Sequence, residues 1–401
     1  MNIFQRKFRK RFGLILANSA NTLFSPIFNL AISLLVIRLG SAALWGEFVS
    51  VLIVINLANH VIFWGNKEYV LREISRAPGC LAKIWQSNLL TRLLLFGIFA
   101  VALFLLPLPF QRQALLLMWG FGALLYQSFD ALVIYRRKFL TAFALETVFA
   151  MLLAGFLFFA KHSLNVDILI AGFAVTMLLK SLGMLALFRQ DVFRGFFGKF
   201  DPDYFRIALP FFLLGLSGML QSRTDLYCVA YFLSDSEVAR YQVLINWLIY
   251  VQVIASLILQ PFLKNIYRLP FAAVKKIARK LLLTGMLIVA AALPAIYFML
   301  KQIYQFEIAV SLLLWGSVFV LPIFYYLPTI YILYKQARQN IVLRINVFGI
   351  LANLCLTLIL IKPFGITGAL AASGLAQVSI LIAYMRFEKI SKPHMRHGAS
   401  G

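Results

Sequence analysis

Apolar runs of similar length, joined by short loops alternately rich and poor in positive charge, constrain this chain more than any other feature. The runs lie at about 12–37, 45–64, 85–106, 113–135, 140–160, 167–188, 207–233, 238–263, 281–300, 308–334, 342–361 and 364–385. Each is near the roughly 20 residues that an α-helix needs to cross the hydrocarbon core of a bilayer. Of the residues, 62% are hydrophobic and 13% charged, against about 45–50% and about 25% in soluble domains. A soluble chain of this length has too much surface for so few charges. The sequence therefore predicts an all-α polytopic membrane protein with about 12 transmembrane helices.

The placement of charge gives the orientation. Both termini and the even-numbered loops hold 29 of the 38 Lys and Arg residues, the odd-numbered loops hold six, and Arg92, Lys180 and Arg223 fall inside runs. The alternation is unbroken, so the positive-inside rule places both termini in the cytoplasm. The formal net charge of +24 then reads as anchoring against the anionic headgroups of membrane lipids. It does not indicate nucleic acid, because no segment is large enough to present a binding groove. The first run is too long for a signal peptide and lacks a small-residue cleavage site. Cys80, Cys228 and Cys355 form no disulfide framework.

The outer loops are short, and the longer inner loops show no paired carboxylates, metal-ligand spacing or phosphate-cradling glycines. The expectation is a protein that is not an enzyme and uses no cofactor. An internal repeat accompanies this. VIRLGSAALWGEFVSVLIVI, around the first outer loop, parallels YFLSDSEVARYQVLINWLI around the seventh; setting Leu39 on Leu233 puts Gly46 at Arg240 and Glu47 at Tyr241. The predicted organisation is a six-helix half at 1–188, a cytoplasmic basic linker at 189–206, a second six-helix half at 207–388 and a polar cytoplasmic tail at 389–401. Two parallel halves around a central cavity are a recurrent transporter design, with the substrate site between them.

Three stretches carry a family resemblance: RLGSAALWGEF with WGNKEYVLREIS, ALPFFLLGLSGMLQSRTDLYCVAYFLSDSEVARYQV, and NLCLTLILIKPFGITGALAAS. They resemble bacterial polysaccharide flippases of the Wzx type, within the multidrug/oligosaccharidyl-lipid/polysaccharide exporter superfamily. Arg240 departs from the pattern, standing where a glycine is commoner. The resemblance implies translocation of undecaprenyl-diphosphate-linked oligosaccharide repeat units for O-antigen or surface polysaccharide, coupled to a proton or sodium gradient. A polysaccharide polymerase would be a partner. Rival readings are a drug or cation antiporter, a peptidoglycan lipid-precursor flippase and, from another class, a membrane glycan-assembly enzyme or scaffold.

Charges inside the runs are the candidate site. A charged side chain near mid-membrane costs about 2.5–3.5 kcal/mol even on the lenient insertion scale, so it faces a protein interior or a water-filled cavity. Arg223 lies roughly 15 Å below the outer end of its helix at 1.5 Å per residue. Asp225, two residues on, points about 200° away, so each needs a partner from another helix. Arg223, Lys180, Arg92 and Asn21 are the candidate substrate-cavity residues. Asp225, Asp130 and Glu146 are the candidate ion-coupling carboxylates. For Arg223 and Asp225 the competing reading is a buried packing ion pair with another helix, and for Lys180 a snorkelling side chain; Arg92, Asp130 and Glu146, at similar depth, would form a structural ion-pair cluster. Asn21 belongs to a polar, proline-containing stripe on the first run that suits either interhelical bonding or a cavity wall.

The charge alternation yields a direct test. Cys80 is expected to react with a membrane-impermeant thiol reagent only from the cytoplasmic side, and a cysteine introduced by Ser236→Cys only from outside. Reversed accessibility at either position would break the twelve-helix topology.

Overall fold

The structure, a computed structural model, describes residues 27–193, 195 and 198–390. Its helices are α1 (Ile27–Leu39), α2 (Ala42–Phe63), α3 (Asn66–Arg76), α4 (Leu81–Phe104), α5 (Phe110–Gln127), α6 (Asp130–Arg136) and α7 (Phe139–Phe159). They continue as α8 (Val166–Val192), α9 (Asp203–Phe232), α10 (Asp235–Leu259), α11 (Leu263–Ile266), α12 (Phe271–Phe298), α13 (Val310–Lys335) and α14 (Gln339–Ile390). Among the described residues, ten helices are long and apolar enough to cross a membrane. One of these is α14, which is two helices joined at a kink where Gly365 takes φ 54° and ψ −135°. Every predicted run falls on helix, the first only in its described part from Ile27. The protein is an all-helical, multi-pass membrane protein.

Local sequence explains where the helices start and turn. Ser41 caps α2, accepting from the Leu44 amide at 3.1 Å, and Asn165 caps α8 through the Ile168 amide at 2.9 Å. Ser234 and Glu237 form a capping box at the start of α10, so orphan amides at these ends are satisfied. The second loop, between the runs at 45–64 and 85–106, is not open coil. It holds α3, whose Tyr69, Val70 and Ile74 are buried.

The chain forms two compact units, divided between Leu216 and Ser217, inside α9. In the first, Ile74, Trp85, Phe129, Phe188 and Tyr204 belong to one buried core. The segment after α8 is strapped to α4. Gln86 donates to the carbonyls of Val192 and Gly195 at 2.7 and 2.8 Å, and the hydroxyls of Ser87 and Thr91 accept from the amides of Lys199 and Asp201 at 3.0 and 2.9 Å. In the second unit, α13 packs along α14, and the rings of Tyr326 and Tyr384 stack 5.1 Å apart within a core that includes Leu333, Val342 and Ile380.

Two glycines in the first unit make a clean comparison. A Cβ on Gly122 of α5 would sit 2.9 Å from the Leu178 backbone nitrogen of α8, whereas one on Gly155 of α7 would meet nothing within 4 Å. Gly122→Ala is therefore expected to destabilise by about 1–3 kcal/mol, as overpacking does. Gly155→Ala should be neutral or stabilise by up to about 1 kcal/mol, because it removes a helix-interior glycine. Thermal unfolding of the purified variants in one detergent measures both; equal midpoints would show that the α5–α8 approach is looser than described.

Candidate functional site

In the second unit the carboxylate of Asp225, 1% exposed, is fully engaged. It accepts from the Leu226 amide at 2.9 Å, from the Ser373 hydroxyl at 2.7 Å and from the Tyr241 hydroxyl. Ser373 also lies 3.2 Å from Asn353 Oδ1, which accepts from Thr357 Oγ1 at 3.0 Å. A hydroxyl has one proton, so Ser373 serves Asp225 or Asn353 but not both at once. The result is a buried chain of oxygens from Tyr241 through Asp225 and Ser373 to Asn353 and Thr357. Such a set suits a proton or a hard monovalent cation, which prefers oxygen ligands.

Arg223 turns elsewhere. Its Nη1 donates to Asn246 Oδ1 of α10 at 2.7 Å, and the charge is within electrostatic range of Tyr227, Tyr241, Tyr250 and Asp225. Among the described residues no carboxylate comes within ion-pair distance of it. The guanidinium is thus held by a neutral amide.

The first unit disposes of its charges differently. Lys180 Nζ of α8 lies 2.6 Å from Glu146 Oε2 of α7, both side chains being largely buried. The Tyr126 hydroxyl donates to the same oxygen at 3.0 Å, and its ring centroid lies 4.9 Å from Lys180 Nζ. Arg92 is wholly buried. It donates to Asn88 Oδ1 at 3.0 Å and to Ser128 Oγ, and its Nη1 has no hydrogen-bond partner. Asp130 lies within electrostatic range of Lys67, Arg92, Glu68 and Glu146.

The structure therefore does not join Arg92, Asp130 and Glu146 in one ion-paired cluster, although their depths match. Glu146 is taken by Lys180, and Arg92 by neutral groups. Asn21 lies outside the described residues. Tyr241 and Asn353 stand inside the stretches that carry the family resemblance, but nothing in the sequence marks them as neighbours of Asp225. Ser373 ends the third of those stretches, in a run of small residues, and is likewise not marked as a neighbour of Asp225. No group of three or more His, Cys, Asp or Glu side chains that would hold a metal ion occurs among the described residues.

These observations define a class: a multi-pass helical membrane protein with charged and polar groups bonded inside its spans. Solved structures share this fold. The lipid II flippase MurJ, in an inward closed conformation, superposes with a TM-score of 0.74 over 92% of this chain and 87% of its own, at 12% identity. An inward-facing multidrug-resistance MATE transporter of the MOP superfamily gives 0.66, covering 95% and 99%, at 16% identity. A mutant of the Vibrio cholerae MATE transporter VcmN gives 0.62, covering 94% and 96%, at 16% identity. No protein-family profile matches the sequence, and no curated protein is similar to it. The likeness is one of fold.

The Lys180–Glu146 pair makes a specific energetic prediction. Removing one member of a buried pair strands the other, at about 3–5 kcal/mol, whereas replacing both by apolar residues is often neutral. Lys180→Met and Glu146→Leu are each expected to lower the yield and melting temperature of the protein, and the double variant to recover most of the loss. Additive losses, measured by quantitative blotting and thermal unfolding, would show that the two side chains do not act as a pair.

Proposed function

We propose that this protein is a flippase that carries undecaprenyl-diphosphate-linked oligosaccharide repeat units across the bacterial cytoplasmic membrane, for O-antigen or other surface polysaccharide. Its termini are cytoplasmic, and a polysaccharide polymerase consumes its product. The observation that carries the reading is the state of Arg223. A diphosphate headgroup must leave water to cross the bilayer, and a guanidinium can replace that hydration in bidentate fashion. Arg223 is bonded to the neutral amide of Asn246, so an incoming phosphate displaces one neutral acceptor and no carboxylate. Lys180, paired with Glu146, is less suited to that role. The transporter fold and the Wzx-type resemblance over nearly the whole chain support the same reading.

In this proposal Asp225 is the coupling group. Its oxygen-rich surroundings accept a proton or sodium ion, and Asp225 and Arg223 lie on one helix within electrostatic range of each other. The sugar itself is translocated unaltered, held by polar and aromatic side chains while the polyprenyl tail stays in lipid.

Reconstitution tests this. In liposomes, purified protein should move a labelled undecaprenyl-diphosphate oligosaccharide between leaflets with its mass unchanged, and in preference to lipid II or a cationic drug. Arg223→Ala should remain abundant and inserted but lose at least about tenfold in rate, the scale of one charge-assisted contact. Asp225→Asn should still bind the substrate but no longer respond to the ion gradient. A product with a new glycosidic bond, or preferential export of the drug, would overturn the proposal.

A further inference from the structure

A second polar constellation lies at the opposite end of the second unit from its basic loops, near the start of α10. Arg240 is six residues beyond the capping residue Ser234, roughly 8–9 Å into the helix at 1.5 Å per residue. Glu237, one turn before it and the nearest acid by helical spacing, is committed to the cap. Its Oε2 accepts from the Ser234 amide at 3.2 Å and from the Ser234 hydroxyl at 2.8 Å. Arg240 forms no ion pair among the described residues, and its buried Nε has no acceptor. Its guanidinium carbon instead stands 5.9 Å from the centroid of the Phe306 ring. Trp247 is seven residues further along α10, which returns it to within about 20° of the same face. Its indole N–H is also buried without an acceptor.

The facing wall is irregular in a way that serves Arg240. α12 continues as a π-helical turn over Met299–Ile303, a feature that recurs at functional sites. The Phe306 amide bonds back to the Leu300 carbonyl at 2.9 Å, and Gln305 takes a left-handed φ of 58°, a conformation uncommon for a residue other than glycine. The outcome is that Tyr304 and Phe306, 3% and 4% exposed, turn inward with their rings 5.6 Å apart. A cation whose buried Nε has no acceptor stands against an aromatic floor, with no carboxylate paired to it among the described residues; the Trp247 N–H lies on the same face of α10, about 10 Å deeper.

We propose that Arg240, seated against the Phe306 ring, is a binding site for an oxyanion, a phosphate or carboxylate, distinct from the site at Arg223. Arg240 supplies the charge and a planar pair of donors. Two sources present this chemistry on the outer side: the substrate's own diphosphate or acidic sugars, which rests on the flippase reading, and the phosphate of an outer-leaflet phospholipid. An oxyanion from the first source would meet Arg240 after Arg223, since Arg240 lies nearer the outer end. The departure from glycine at this position then has a physical meaning.

Inorganic pyrophosphate, titrated onto the full-length protein in phosphatidylcholine nanodiscs, is the probe, read by thermal unfolding and intrinsic tryptophan fluorescence. The wild type should bind it. In the Arg223→Ala background, which leaves this site alone to be read, Arg240→Gln, with an unchanged melting temperature in the absence of pyrophosphate, should lower the affinity at least about tenfold. Arg240→Lys should fall between, because it keeps the charge but not the fork. Arg223→Ala should retain this binding. Competition by undecaprenyl diphosphate assigns the site to the substrate, and competition by phosphatidylglycerol alone assigns it to a lipid headgroup; either supports the site. Equal binding by Arg223→Ala and by the double variant Arg223→Ala/Arg240→Gln, or binding lost in Arg223→Ala alone, would overturn it. Both of those results leave the flippase reading to its own liposome assay.

Discussion

The hydrocarbon core offers no hydrogen bonds, so every polar group placed in it must find a partner within the protein. Helices meet this demand for the backbone until a helix breaks, and the break between α5 and α6 shows how the debt is settled. The Ser128 and Phe129 amides fold back onto the carbonyls of Leu125 and Tyr126 at 3.2 and 3.0 Å. The carbonyls left over at the end of α5 are the usual orphans of a helix C-terminus. Asn66 Nδ2 donates to the Gln127 carbonyl, and Trp85 Nε1 to the Ser128 carbonyl, both at 3.0 Å. Side chains from α3 and α4 thereby make an interruption tolerable inside a span.

The same constraint sorts the charged side chains. A hydrogen bond to a charged group is worth about 1.5–3 kcal/mol, and inserting a charge costs about 2.5–3.5 kcal/mol on the lenient scale. One bond is marginal and two or three suffice. Asp225 has three, and Glu146 has a cation and a phenol. Both are well compensated where they stand. Arg223 and Arg92, bonded to neutral groups, retain an unneutralised charge, and of the two only Arg223 is not wholly buried. Compensation that is adequate but not complete is what distinguishes a group able to exchange its partner for a ligand.

Sequence made depth legible and left rotation hidden. Hydropathy locates the long helices among the described residues, because the length and apolar content of a run are properties of the chain alone. The direction in which a side chain points depends on packing against neighbouring helices. Arg92, Asp130 and Glu146 match in depth, yet Glu146 faces Lys180, 34 positions away along the chain. Ser373 reaches Asp225 across 148 positions, and a serine among alanines looks like any small packing residue. The opposed directions of Arg223 and Asp225 were readable, since a spacing of two fixes the angle on one helix. α3 was not distinguished from its loop because it is too short and too polar to resemble a span.

Placing Arg223 and Asp225 two residues apart also has an energetic consequence for the proposed transport cycle. They cannot share a partner, yet each feels the other's charge. At an effective dielectric near 20, two unit charges about 8 Å apart interact by roughly 2 kcal/mol. Neutralising Asp225 with a proton or sodium ion would therefore raise the affinity of Arg223 for an anion by a factor in the tens, without any movement of the helix. Linkage makes the effect mutual: a bound phosphate would favour the ion at Asp225 to the same degree. The Ser373 hydroxyl adds a structural component, because once Asp225 is neutral its proton is free to turn to Asn353. Ion and substrate would then load together and leave together, which is the requirement for coupled movement in one direction.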